Sequence, residues 1–148
     1  MKIANISVGF QELPGKVTMN IFTAGCSLKC KGCHNPELQD FNLPSAKDMT
    51  ADMIINEIDK RSGLIDAVCW LGGEPTEQKD FEAVLLELKE KRPNVRQCLY
   101  TGRDRSALPI RLQNCFDHIK AGRWMGKPIS DPTSNQKLVE RPSEGWAA

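Results

Sequence analysis

The chain has 148 residues, 40% of them hydrophobic, so it is long enough for one domain with a real core and too short for two comfortable ones. Its 20 basic and 19 acidic residues give a net charge of +1, which argues against general nucleic-acid binding through a basic face. No apolar run approaches the roughly 20 residues that a membrane-spanning helix needs. We therefore expect a soluble cytoplasmic protein that binds neither nucleic acid nor membrane.

Strands and helices are predicted to alternate along the chain. Strands are indicated by short apolar runs rich in β-branched and aromatic residues, and helices by apolar residues at the spacing i, i+3, i+4, i+7. Pro93 ends the second long helix, because proline cannot continue one. In chain order the predicted elements are an extra edge strand at residues 2–8, a strand at 17–23, a long loop at 25–44, a helix at 50–60, a strand at 66–71, a helix from Phe81 to Pro93, a strand at 95–101, a short helix near Ser106, a strand at 115–120 and a last strand around 137–140.

This alternation implies right-handed βαβ units and an α/β fold with a mainly parallel sheet. A complete eight-fold barrel needs about 250 residues, so we expect a partial, open (βα) barrel of four to six βα units. One domain should span residues 1–148, with a flexible C-terminal tail from about residue 141. Trp146 in that tail is expected to be exposed, because chain ends rarely pack tightly.

Three cysteines lie close together in the long loop. Cys26, Cys30 and Cys33 have the spacing C-x3-C-x2-C, which allows three thiolates to reach one metal centre. A four-iron cluster ordinarily takes four cysteines, and no fourth lies nearby. One iron would then stay open to bind a ligand, as catalysis at a metal requires.

Two other interpretations of these cysteines are possible. A structural zinc site would need His34 as a fourth ligand, but adjacent residues such as Cys33 and His34 seldom reach one tetrahedral ion together. Disulfides are disfavoured in the reducing cytosol. Cys69, Cys98 and Cys115 fall in predicted strands and are interpreted as small buried hydrophobic residues.

The cysteine triplet resembles the signature of the radical S-adenosylmethionine superfamily, and the following His34, Asn35 and Pro36 resemble its glycyl-radical-enzyme activases. The resemblance implies that the cysteines hold a 4Fe-4S cluster whose unique iron chelates the amino and carboxylate groups of S-adenosylmethionine. It also implies that the backbone before the third cysteine contacts adenine. Gly32 at that position resembles the activases of anaerobic ribonucleotide reductase.

A second motif, Gly72, Gly73, Glu74 and Pro75, follows the strand at 66–71. Taken alone, such residues are also typical of an ordinary β-to-α turn. The resemblance implies that they bind the methionine amino group, partly through backbone carbonyls. Because the cysteines and this motif both follow strand ends, they should meet at the C-terminal face of the barrel, where active sites of such folds lie.

Further matches to the same activases occur downstream. Thr101 ends the strand at 95–101, either as a plain turn residue or, by resemblance, as a contact near the ribose or methionine. Residues 120–124 (KAGRW) and 131–137 (DPTSNQK) also resemble these activases, although the second segment is equally compatible with a polar surface turn. The chain departs from the family at residues 12–16 (ELPGK), where an Asp-Gly-Pro-Gly sequence and then arginine are common.

The resemblance implies an activase that generates a glycyl radical on the large subunit of an anaerobic ribonucleoside-triphosphate reductase. A small protein such as flavodoxin would supply electrons. The alternatives are a small radical enzyme acting on a metabolite and a non-catalytic iron–sulfur electron-transfer module. The module would not need the motif at residues 72–75.

Overall fold

The computed structural model describes residues 1–146 and contains a single mixed sheet with helices on one face. Within those residues, the strands are β1 (Lys2–Gly9), β2 (Thr18–Thr23), β3 (Lys47–Asp48), β4 (Ala67–Gly72), β5 (Arg96–Thr101), β6 (His118–Ala121) and β7 (Lys137–Glu140). The α-helices are α1 (Ala51–Lys60), α2 (Phe81–Lys91) and α3 (Ile110–Gln113), and single 3-10 turns occur at Pro36–Gln39, Pro75–Glu77 and Arg105–Ala107.

The strand order is β3-β1-β2-β4-β5-β6-β7. Strands β2, β4, β5 and β6 are parallel, whereas β1, β3 and β7 run antiparallel to their neighbours. Because β3 and β7 stand at opposite edges, the sheet stays open, which confirms the predicted partial (βα) barrel. Three βα units followed by a fourth parallel strand are present in residues 1–146, fewer than the four to six units expected.

Alternation along the strands separates two faces of the sheet. Met19, Val68, Trp70, Leu99 and Ile119 face the helices and form the main core with the apolar sides of α1 and α2. The opposite face carries Cys69, Cys98, Tyr100 and other residues of a smaller apolar cluster that Leu13 covers. Strand β4 is thus covered on both faces, as its continuous apolar run predicted.

The helix ends follow from local chemistry. The Thr50 hydroxyl accepts a hydrogen bond from the Met53 backbone N–H, at 3.3 Å, and caps the start of α1. Near Ser106 the chain forms a 3-10 turn and then the short α3, because Pro109 prevents one continuous helix.

Three sequence predictions need correction. The strand at residues 2–8 exists as β1, but it is not at the edge, since β3 pairs with its outer side. Cys115 lies in a turn and not in a strand: its N–H donates to the Leu112 carbonyl and extends the turn of α3 before β6 begins. Trp146 is 7% exposed and its Nε1–H donates to the Phe116 carbonyl at 3.0 Å, so it packs on the core.

Of the predicted flexible tail, residues 141–146 belong to the described part of the chain and residues 147–148 lie outside the described residues. Arg141 forms an ion pair with Asp117 at 3.0 Å. No helix in residues 1–146 is long and apolar enough to cross a bilayer.

Candidate functional site

The cysteine loop, residues 25–39, begins just after β2 and is closed by its own backbone. Gly25 N–H donates to the Leu38 carbonyl at 2.8 Å, and Cys26 N–H donates to the Gln39 carbonyl at 3.2 Å. Cys33 N–H donates to the Cys30 carbonyl at 3.2 Å, which forms a tight turn between the second and third cysteines. These bonds fold the loop so that its two ends meet at the carboxyl edge of the sheet.

All three loop cysteines have free, half-exposed thiols that line one cavity of about 540 Å³. This volume lies in the range of ligand-binding pockets. The cavity also brings in most of the residues that the sequence indicated, namely His34, Gly72, Gly73, Glu74 and Thr101. Gly32 and Pro75 do not line it: Pro75 is buried, and a Cβ on Gly32 would lie 3.7 Å from Trp124 Nε1.

The donor set fits a sulfur-bound iron cluster. Within the described residues no three His, Cys, Asp or Glu side chains are arranged around a single metal-ion position. The three cysteines instead line one cavity and would hold a multi-iron cluster there through their thiolates. Burial raises the pKa of the Cys26 thiol, and the negative charges of Glu74 and Glu77 act in the same direction, against a hydrogen bond from the Leu28 backbone. A bound cationic centre reverses this preference by stabilising the thiolate.

The two glycines of the second motif are required by close backbone contacts. A Cβ at Gly72 would lie 2.6 Å from Thr23 N, and Gly72 has φ of +109°. A Cβ at Gly73 would lie 2.5 Å from the Gly25 carbonyl oxygen and 2.6 Å from that of Leu38. The turn after β4 is therefore pressed against the start and end of the cysteine loop, at distances that real Cβ atoms do not tolerate.

Glu74 joins two turns through its carboxylate, the one after β4 and the one after β5. It is 1% exposed and accepts hydrogen bonds from the Thr76 N–H and hydroxyl at 3.2 and 2.6 Å, from the Thr101 hydroxyl at 2.8 Å and from Gly102 N–H at 2.8 Å. The Thr101 hydroxyl also accepts from Arg103 N–H at 3.1 Å. Both side chains are thus committed to holding the turns after β4 and β5 together.

Glu77, which the sequence did not single out, connects this turn to the cysteines. Its Oε1 atom accepts from Ser27 N–H at 3.0 Å and from the Ser27 hydroxyl at 2.8 Å, directly beside Cys26. Arg103 lies 3.6 Å from the same oxygen. The only sequence signal for Glu77 was its position three residues after Glu74, which places it in the turn at Pro75–Glu77.

The cavity is also lined by Lys120 and Tyr100, to which the sequence gave no individual role, although Lys120 begins the segment at 120–124 that resembles activases. Lys120 on β6 places its ammonium 4.2 Å from the centroid of the Tyr100 ring. Among residues 1–146, no carboxylate lies within ion-pair distance of Lys120, and burial lowers its pKa. The Tyr100 hydroxyl donates to the Glu12 carbonyl at 2.6 Å, and burial raises its pKa.

The segment at residues 12–16, where the sequence departs from the family pattern, packs on the sheet through Leu13. Leu13 is buried against Ala67, Cys69 and Cys98, so this segment covers the face of the sheet opposite the helices, and the adjoining Glu12 lines the cavity.

The two downstream segments that resembled activases also contact each other and the site. Asn135 donates to the Arg123 carbonyl at 3.0 Å and Gln136 to the Gly122 carbonyl at 2.8 Å, which fixes the turn after β6. That turn carries Trp124, whose ring centroid lies 4.4 Å from that of His34 in the cysteine loop. The segment at 131–137 is therefore more than a surface turn, since it supports a wall of the cavity.

Comparison with known proteins agrees with this geometry. The profile of the Radical SAM superfamily matches residues 20–117. Pyruvate formate-lyase-activating enzymes of Staphylococcus aureus strains USA300, COL and N315 are each 39% identical over 100 residues. The alignment covers 64% of this chain and 38% of those enzymes, so the match spans well under half of their length. The matches confirm the resemblance and the cofactors that it implies, a 4Fe-4S cluster and S-adenosylmethionine. The chain belongs to the radical SAM superfamily.

Proposed function

We propose that the chain is a radical SAM activase that generates a glycyl radical on a partner enzyme, and that this partner is an anaerobic ribonucleoside-triphosphate reductase. The observation that carries the proposal is the single cavity lined by the three loop thiols and by the turn after β4. Cys26, Cys30 and Cys33 would hold the 4Fe-4S cluster. The remaining space, toward Thr101 and Lys120, would hold S-adenosylmethionine.

When bound, the two cofactors supply reductive cleavage of the sulfonium and hydrogen-atom abstraction, while the protein positions and shields them. The backbone at Gly72 and Gly73 is assigned to the methionine amino group. Lys120, a half-buried cation without a carboxylate partner in residues 1–146, suits the methionine carboxylate. Glu74 and Thr101 act as positioning residues, because their polar atoms already bind neighbouring loops. No histidine general base is needed for these steps.

The choice of a protein substrate is supported by the open sheet and by the relatives. An unclosed barrel leaves one side of the cavity accessible to a loop of another protein. The matched proteins are named activases of pyruvate formate-lyase, itself an alternative partner for this chain. The residues at 120–124 and 131–137 favour the reductase, because both segments resemble its activases and both build the cavity wall. Flavodoxin is the proposed electron donor.

Anaerobic reconstitution followed by mixing with each partner tests the assignment. The protein, S-adenosylmethionine and reduced flavodoxin are incubated with the large subunit of the reductase or with pyruvate formate-lyase, and the glycyl radical is quantified by electron paramagnetic resonance. We expect the radical on the reductase, one deoxyadenosine per radical, and no radical with a Cys30→Ala variant. A Cys115→Ala variant serves as the matched control, since Cys115 is buried away from the cavity.

The same experiment separates the alternatives. A radical on pyruvate formate-lyase alone would change the partner but keep the activase. Cleavage that consumes S-adenosylmethionine without any protein radical would favour an enzyme acting on a metabolite. A cluster that forms but neither binds nor cleaves S-adenosylmethionine would favour the electron-transfer module.

A further inference from the structure

The cysteine loop presents alternating residues to the cavity and to solvent. Cys26, Leu28 and Cys30 line the cavity. Lys29 and Lys31 are exposed and do not line it. Because these two lysines flank Cys30 in the chain, each is joined by one peptide bond to a residue assigned to the cluster. The solvent side of the loop therefore carries two positive charges directly outside the proposed cluster site.

Arg123, which is also exposed, adds a third positive charge to the same surface. Its guanidinium donates a hydrogen bond to the Leu28 carbonyl at 2.5 Å, one residue before Lys29. The backbone of Leu28 and that of Lys29 in turn hydrogen-bond to the Cys26 thiol. Lys29, Lys31 and Arg123 thus form one basic patch on the outside of the cysteine loop.

Acidic residues do not neutralise the basic patch. In the described part of the chain none of its three side chains forms an ion pair. The sequence has no aspartate or glutamate between residues 26 and 36, and Glu77, which contacts the loop at Ser27, lies 3.6 Å from Arg103. Since the whole chain carries a net charge of only +1, the patch is a local concentration of charge. A protein surface with exposed carboxylates would complement it.

Lys29 occupies a backbone position that favours glycine. Its φ is +50°, and every other positive φ in residues 1–146 belongs to a glycine. The left-handed region strains any residue that has a Cβ atom. Such strain is found where the side chain has a use, so the position of Lys29 supports a role for its charge.

The basic patch offers an approach to the cluster from outside the cavity. In the proposed function S-adenosylmethionine occupies the cavity when the electron arrives. A donor protein on the solvent side of the loop would stand one residue away from Cys30, and it would leave the cavity to the cofactor and the partner enzyme. Opposite charges on the two surfaces would speed their encounter and fix their orientation.

We propose that the basic patch is the docking surface of an electron-donor protein whose contact face is acidic. This inference rests on the proposed function, because it requires a redox-active cluster at Cys26, Cys30 and Cys33. For a flavin donor, the hydroquinone is oxidised to the semiquinone and the cluster is reduced by the same single electron. No bond of this chain forms or breaks in that step.

Two paired substitutions on the reconstituted protein test the inference. Lys29→Gln with Lys31→Gln removes two charges of the patch and keeps side chains of similar length. Lys16→Gln with Arg96→Gln is the matched control: it removes two exposed cations at the opposite edge of the sheet, where β2 and β5 begin. The probe is a flavodoxin chosen for its net negative charge.

Binding and reduction are measured separately. By anaerobic calorimetry with oxidised flavodoxin, we expect the patch variant to bind about five- to tenfold more weakly than the wild type at low salt. The difference should shrink at high salt, because screening weakens exposed charge pairs. Stopped-flow reduction by flavodoxin hydroquinone at limiting concentration should slow in parallel. Photoreduced 5-deazariboflavin, a small donor that needs no docking surface, should reduce the wild type and both variants at the same rate.

A patch variant that binds flavodoxin and is reduced by it as the wild type is overturns the inference. An equal loss in the control variant overturns it as well, because the effect would then reflect net charge alone. Slower reduction by 5-deazariboflavin would locate the defect in the cluster and refute a docking role. Normal reduction by flavodoxin combined with weaker binding of the reductase would reassign the patch to the partner enzyme.

Failure of the inference and failure of the proposed function give different results. A wild type that cleaves S-adenosylmethionine with 5-deazariboflavin, but that flavodoxin neither binds nor reduces, refutes the docking surface and leaves the activase in place. A wild type that cleaves S-adenosylmethionine with neither donor refutes the proposed function, and the docking surface with it.

Discussion

Replacing Gly73 with alanine should disturb the cysteine loop and not only a cofactor contact. By resemblance, residues 72–75 bind the methionine amino group, so a Cβ at Gly73 is expected to weaken binding of S-adenosylmethionine. In the structure that Cβ would stand 2.5 Å from the Gly25 carbonyl oxygen and 2.6 Å from the Leu38 carbonyl oxygen. Both oxygens are backbone atoms at the two ends of the loop, so neither can rotate away.

The size of the effect follows from these distances. Ordinary contacts to a Cβ begin at 3.4 Å, so the turn and the loop must separate by about 0.9 Å. The movement opposes two backbone hydrogen bonds, from Glu74 N–H to the Gly25 carbonyl and from Gly25 N–H to the Leu38 carbonyl, both 2.8 Å long. Overpacking of this kind costs about 1–3 kcal/mol of unfolding free energy. Because Gly25 immediately precedes Cys26, iron occupancy should fall together with affinity for S-adenosylmethionine.

The assay combines urea unfolding of the protein before reconstitution with iron analysis after it. Gly63→Ala is the matched control: Gly63 has φ of +86° and open space around its Cβ position, so alanine there costs about 1–2 kcal/mol through backbone strain alone. We expect the control to lose stability but to bind iron fully, and Gly73→Ala to lose both. A Gly73→Ala protein with wild-type stability and full iron content would show that the close contact has been misjudged.

Three further predictions follow from other contacts. Alanine at Cys26, Cys30 or Cys33 should abolish a cluster of about four irons per chain, while Cys115→Ala should keep it, as measured by iron analysis and visible absorbance. Normal spectra after loss of any one of the three loop cysteines would contradict their assignment as cluster ligands. Glu74→Gln replaces a carboxylate that accepts four hydrogen bonds with an amide whose NH2 group can only donate. Urea unfolding should therefore show a loss of about 1–3 kcal/mol in the free energy of unfolding. An unchanged unfolding midpoint would refute the hydrogen-bond network around Glu74. Trp146→Ala should lower the free energy of unfolding by about 3–5 kcal/mol, whereas Ser143→Ala, at an exposed position, should change it little. Equal stabilities of the two variants in urea unfolding would mean that Trp146 does not pack as described.

Local patterns were sufficient for most of the fold. The apolar spacing in α1 and α2 and the short apolar runs of β4 and β5 predicted these elements to within one or two residues, because periodicity reports directly which side of an element is buried. The same patterns failed at Cys115, and near Ser106 they did not separate the 3-10 turn from the short helix that follows it. There the boundaries depend on turn hydrogen bonds and on Pro109, which composition does not resolve.

The sequence by itself determined the chemistry of this protein: the spacing of Cys26, Cys30 and Cys33 and the turn beginning at Gly72 are local features, and they were enough to identify the superfamily and its cofactors. Only the tertiary structure decided how the remaining residues serve the site. Glu74 binds Thr101 across 27 positions of the chain, and the buried Trp146 reaches Phe116 across 30. Such partners are brought together by parallel strand pairing and by packing on the core, and neither leaves a periodic signal in the sequence near the residues involved.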